Sequence, residues 1–131
     1  MKTELEAEFY LSGRSSFTRV RRLEWTDVEE LLEKLKDKQG SMRLVILPES
    51  DIGPVNIDVS TENGFYLITL LEYSENSSDV RSYWDTSKGN NKIIVLGNYW
   101  PECQLTKDFS LVVSIFKEFF ETGNVSMDLL N

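Results

Sequence analysis

Along this chain the apolar positions switch between two periods, and the switches mark out its elements. Leu5, Ala7, Phe9 and Leu11 alternate with Glu4, Glu6, Glu8 and Tyr10, which predicts a strand with one face in water. Gly13 to Ser16 predicts a turn, and Phe17 to Leu23 a second strand carrying Arg19, Arg21 and Arg22. Three arginines so close together suit a solvated edge strand that resists aggregation. Val28, Leu31, Leu32 and Leu35 then fall on one helical stripe. Thr26 to Glu29 has the form of a capping box ahead of that stripe, with Trp25 packed just before it and Gly40 closing the helix.

The two-residue period returns after Gly40. Met42 to Leu47 predicts a strand, Glu49 to Pro54 a loop, and Val55, Ile57 and Val59 a half-exposed strand. Asn63-Gly64 is the strongest short hairpin signal in the chain. It leads into Phe65-Tyr66-Leu67-Ile68-Thr69-Leu70-Leu71, an uncharged run suited to a central strand covered on both faces. Glu72 to Asp79 predicts an acidic loop, Val80 to Asp85 a returning strand, and Lys92 to Leu96 a second buried strand. Gly97 to Glu102 leaves the sheet. Asp108 caps a helix on which Phe109, Val112, Val113, Phe116 and Phe120 recur, with Gly123 as its stop. Val125 to Leu130 predicts a last short strand. The expected fold is α+β: a mostly antiparallel, twisted sheet of about six or seven strands with two principal helices, spanning residues 1–131 as one domain.

Charge adds what periodicity cannot. Residues 1–43 carry nine acids and nine bases, whereas residues 44–131 carry thirteen acids and five bases, the whole of the net −8. That surplus repels phosphate backbones, so nucleic acid is not an expected partner, and it attracts basic surfaces over long range. The charged amino terminus has no apolar core of a signal peptide, no run is long enough to span a bilayer, and one cysteine, Cys103, fits a reducing compartment. A cytoplasmic protein without membrane contact is expected.

Catalytic chemistry finds little footing. The chain has no histidine, so the commonest general base, the commonest metal ligand and every Ser-His-Asp arrangement are missing. No metal, cofactor or phosphate cradle is expected, and a non-enzyme is the reading. A carboxylate-dependent hydrolase would require two acids at chemical distance, with Glu72 and Asp85 as the pair. Binding fits better. Glu72, Glu75, Asp79 and Asp85 are interleaved with Tyr83 and Trp84, and Trp100 follows the next strand. Carboxylates meet lysine and arginine through charge-assisted bonds, while aromatics give rigid contact area. The bland alternative is that the aromatics face the core and the acids solvate a loop.

From Trp84-Asp85, through Gly97 and Pro101, to Phe116-Lys117-Glu118-Phe119-Phe120-Glu121-Thr122-Gly123, the last third of the chain resembles bacterial immunity proteins. These neutralise polymorphic and contact-dependent growth-inhibition toxins, and the likeness is to their first-numbered family, with its Phe-Phe-x-Thr-Gly helix end. That family often follows the glycine with an arginine-proline turn and closes on tryptophan; here Asn124 to Leu130 stands instead. The resemblance implies a protein that binds a cognate toxin domain, a nuclease by charge, and blocks its active site. Glu72, Glu75, Asp79, Tyr83, Trp84, Asp85 and Trp100 would form the toxin-binding set. A small acidic adaptor on another partner is the rival reading.

Overall fold

The computed structural model describes residues 4–12 and 18–131, so the turn expected at Gly13 to Ser16 lies outside the described residues. The chain runs β1 (Glu4–Leu11), β2 (Thr18–Arg21), α1 (Trp25–Leu35), β3 (Gly40–Leu47), β4 (Gly53–Glu62), β5 (Phe65–Ser74) and β6 (Ser77–Ser82). A small hairpin of β7 (Lys92–Val95) and β8 (Asn98–Pro101) follows. A 3-10 turn (Glu102–Gln104), β9 (Leu105–Thr106) and α2 (Phe109–Thr122) then complete the elements. The main sheet has the order β2-β1-β3-β4-β5-β6, with β9 in line with β6 along the same side of β5, and every described pairing is antiparallel. This is the expected α+β architecture.

The alternation seen in the sequence sets the two faces. Ala7 opposes Leu44, which opposes Ile57, which opposes Leu70, and all four are fully buried on the face that α1 and α2 cover. The predicted α1 stripe of Val28, Leu31, Leu32 and Leu35 is buried in this core with Val112, Ile115, Phe116 and Phe119 of α2. Truncating either phenylalanine to alanine would cost roughly 3–5 kcal/mol. Asp108 caps α2 by accepting from the amides of Ser110 and Leu111, and Gly123 ends it at φ +76. Asn63 and Gly64 both have positive φ, as a two-residue type I′ hairpin requires.

Several boundaries differ from expectation. Helix α1 begins at Trp25 rather than after Thr26, with Glu24 at the cap and its amide held by Asp27 Oδ2 at 2.8 Å. Trp25 therefore lies in the first turn, half-buried against Phe120. Gly40 does not close the helix but opens β3, where an added Cβ would fall 2.2 Å from the Tyr10 carbonyl oxygen. Its glycine is demanded by close backbone approach, not by a left-handed turn. The run Lys92 to Leu96 does not join the main sheet. It pairs with β8 and lays Ile93, Val95 and Trp100 over Leu67 and Leu105 on the other face of β5, a second, smaller core. Glu62 Oε1 accepts the Leu96 amide at 2.8 Å and ties that hairpin to β4.

The expected strand at Val125 to Leu130 is absent. Val125 and Leu130 are buried, but their carbonyls are taken by the guanidinium of Arg81 instead of by a neighbouring strand. Arg81 opposes Leu70 and so points into the helix-covered face, where it is 4% exposed. It also donates to Asn124 Oδ1 at 3.0 Å. A buried cation is tolerated only when its donors are met. Here the segment after α2 supplies those acceptors.

Candidate functional site

The acidic stretch is not a loop. Strand β5 continues through Glu72 and Tyr73 to Ser74, Glu75 and Asn76 make a two-residue turn, and β6 begins at Ser77. The reason is that an exposed hairpin end needs no apolar alternation, so its strands look like loop in sequence. Glu72 and Asp79 thereby become direct cross-strand partners on one face. Like charges in that position destabilise a sheet. The nearest compensation is Arg81, whose Nη1 stands 3.5 Å from Glu72 Oε2 while its other donors are committed to the segment after α2.

Strand register adds acids that the linear reading overlooked. Pairing outward from Asn63-Gly64 sets Gly53 opposite Tyr73 and Pro54 opposite Glu72, past one bulge between Pro54 and Asn56. The β3–β4 connection therefore reaches the β5–β6 end. The Glu49 carboxylate, acting as acceptor toward the Tyr73 phenol, holds the tyrosine above its ordinary pKa. Ile52, Gly53, Glu72, Tyr73, Glu75 and Asp79 are among the residues lining a groove of about 640 Å³ there. Ile52 is 64% exposed and Val80 58% exposed beside it. The residue count back from the Asn63-Gly64 turn brings Gly53 and Pro54 to this end, but Glu49 lies in the connection beyond β4 and is placed only by the tertiary structure.

The other expected site residues lie elsewhere. Glu75 stands at the tip with Glu72 and Asp79, but Tyr83, Trp84 and Asp85 follow the far end of β6. Along β6, Tyr83 follows Asp79 by four residues, roughly 13 Å at a strand's rise, and Glu75 lies farther off at the turn. Tyr83 packs against the main core and Trp100 against the second, so both aromatics serve the interior. Trp84 remains exposed at 46%. Asp85 is turned to local work: its Oδ1 accepts from the Ser87 hydroxyl at 2.6 Å and the Ser87 amide at 3.0 Å. Those bonds, the hydroxyl's first, hold its carboxyl below the usual range. Glu72 and Asp85 sit toward opposite ends of β6, each with its own partner, and share no cleft. Among the described residues no group of three or more His, Cys, Asp or Glu side chains is placed to hold a metal ion. No helix among them is long and apolar enough to cross a membrane.

The opposite end of the sheet treats charge differently. On the face away from the helices, Arg21 reaches Glu6 at 3.0 Å, Arg19 lies 3.5 Å from Glu8, and Arg43 grips Asp58 with two bonds of 2.7 and 2.9 Å. Opposite charges face each other from strand to strand across β2, β1, β3 and β4. The ladder's three arginines are all paired with acids, and β2 is the edge strand expected of its arginines.

Comparison with known proteins identifies the fold more widely than the chemistry. No curated protein matches the chain. A crystal structure of a hypothetical protein from Neisseria gonorrhoeae is similar over 95% of this chain and 91% of its own, with a TM-score of 0.79 at 15% identity. That likeness is one of fold. Residues 8–129 match the model of a family of unknown function, DUF6911, and the chain belongs to that family.

Proposed function

We propose that this protein binds and neutralises a basic protein partner, in the immunity reading a cognate bacterial toxin domain, through the acidic end formed by β5, β6 and the β3–β4 connection. The observation that carries this is the opposed pair Glu72 and Asp79. Two acids paired directly across neighbouring strands cost stability in the free protein, and local rules are broken in this way at functional sites. A lysine or arginine placed between them by a partner relieves the repulsion and forms charge-assisted bonds. Glu49 and Glu75 extend the same field, while Ile52, Tyr73 and Val80 offer apolar contact at its margin. A nuclease is the toxin class that fits, because a cleft that holds phosphates must be positive. Long-range attraction would speed association, and the apolar contacts would slow release.

Co-expression with the toxin fragment encoded beside this gene is the test. Growth should be rescued and the two chains should co-elute. The combined variant Glu72→Gln, Glu75→Gln, Asp79→Asn should weaken the complex and flatten its salt dependence. Unchanged affinity and unchanged salt dependence in that variant would remove the acidic end as the binding surface. No rescue and no complex would remove the immunity reading itself.

A further inference from the structure

Strand β6 is the outer edge of the sheet opposite β2. In an antiparallel ladder alternate residues turn their amides and carbonyls toward the partner strand and away from it. Ser82 exchanges two backbone bonds with Asn131, amide to carbonyl at 3.3 Å and the reverse at 2.9 Å. Ser82 therefore faces outward, and by alternation so do Val80 and Ser78. The pairing with Asn131 is that of an added strand one residue long, so this edge already accepts backbone from outside the sheet. At the next outward position the Val80 amide is occupied by the carboxylate of Asp79, its own neighbour, at 3.0 Å. Ser78 and Val80 are exposed.

Resting on the acidic-end reading above, we propose that the outer edge of β6 around Ser78 and Val80 receives an extended segment of the basic partner as an added strand, and that Asp79 makes this selective for cationic segments. An incoming carbonyl that takes the Val80 amide must displace Asp79 Oδ1. The freed carboxylate then stands opposite Glu72 with no donor. A neutral segment trades one bond for another and leaves the two acids opposed. A segment that brings lysine or arginine to that face supplies the missing donor, so the exchange becomes favourable. Side chains of an added strand alternate between faces: those on the Glu72 and Asp79 side should be basic, and those beside exposed Val80 apolar. The same device shields the edge from unwanted strand pairing, as natural sheet edges require.

The probe is a synthetic peptide of about ten residues, the length of a long strand, alternating lysine and valine, titrated into the full chain by calorimetry and followed by amide NMR. Binding should slow hydrogen exchange at Ser78 and Val80. Methylating the peptide's alternate backbone nitrogens keeps its charge but removes the pairing donors, and should raise Kd about tenfold or more. Equal affinity of the two peptides without protection of Ser78 and Val80 would overturn strand addition while leaving a basic partner in place. Failure of both peptides to bind would overturn the two readings together. A second handle is Val80→Pro. It removes an amide that lies outside the β5–β6 ladder, as tolerated on an edge. Undiminished peptide affinity in that variant would also overturn the proposal.

Discussion

The two ends of this sheet handle the same kind of residue in opposite ways. Across β2, β1, β3 and β4 three arginines on the open face each meet an acid: Arg21 with Glu6, Arg19 with Glu8, Arg43 with Asp58. At the β5–β6 end Glu72 meets Asp79, with Glu49 and Glu75 close by. The one cation there among the described residues, Arg81, is buried and turned to holding the segment after α2. The first region is complete without a partner. The second pairs two acids directly across the strands, and the proposed binding of a cationic partner rests on that difference.

Three measurements sharpen the contrast, and the largest effect belongs to the arginines. Arg81→Met strips donors from buried carbonyls and from Glu72, and should lower unfolding free energy in urea by about 3–5 kcal/mol. Arg43→Met breaks a well-formed but half-exposed pair and should cost about 1 kcal/mol or less. Similar losses for both would mean that Arg81 is not the anchor described above. Next come the acids. Asp58→Asn should destabilise and Asp79→Asn should stabilise, each by roughly 0.5 kcal/mol and with opposite sign. Added salt should shrink both differences. Two losses of the same sign would show that the opposed pair is not repulsive.

The smallest effect is a titration. Glu49 accepts the Tyr73 hydroxyl and so favours the neutral phenol, which places the folded pKa above the unfolded one. The stabilisation is therefore complete below a tyrosine's ordinary pKa and disappears as pH rises through the raised value. Glu49→Gln should return Tyr73 toward its ordinary pKa, read from tyrosinate absorbance or from its ring carbon shift. An unmoved titration would detach the β3–β4 connection from the acidic end.

How far the chain could be read without its structure varied by element. The Asn63-Gly64 hairpin, the α1 stripe, the Asp108 cap and the Gly123 stop are local chemistry and match the structure, whereas the buried face of α2 is centred on Val112, Ile115, Phe116 and Phe119, with Phe109, Val113 and Phe120 half-buried at its margins. Lys92 to Leu96 pairs in a separate hairpin rather than in the main sheet, and periodicity does not distinguish the two because an apolar run packs equally well in either. Tyr83 and Trp100 looked like surface anchors, yet each fills the edge of a core. The candidate site was half visible: Glu72, Glu75 and Asp79 come together, whereas Trp84 and Asp85 lie beyond the strand that separates them.

By itself, then, the sequence determined the α+β class, the faces of both helices and the tightest turns, because periodicity and turn conformation depend on residues within a few positions of each other. It also set the charge surplus after residue 43. Which of those charges are matched was decided only by the tertiary structure. Register along β4 and β5 brings Glu49 to Tyr73, register along β5 and β6 sets Glu72 against Asp79, and packing under α2 withdraws Arg81 from solvent. Coulomb energy depends on separation in space, and that separation does not exist until the strands are paired.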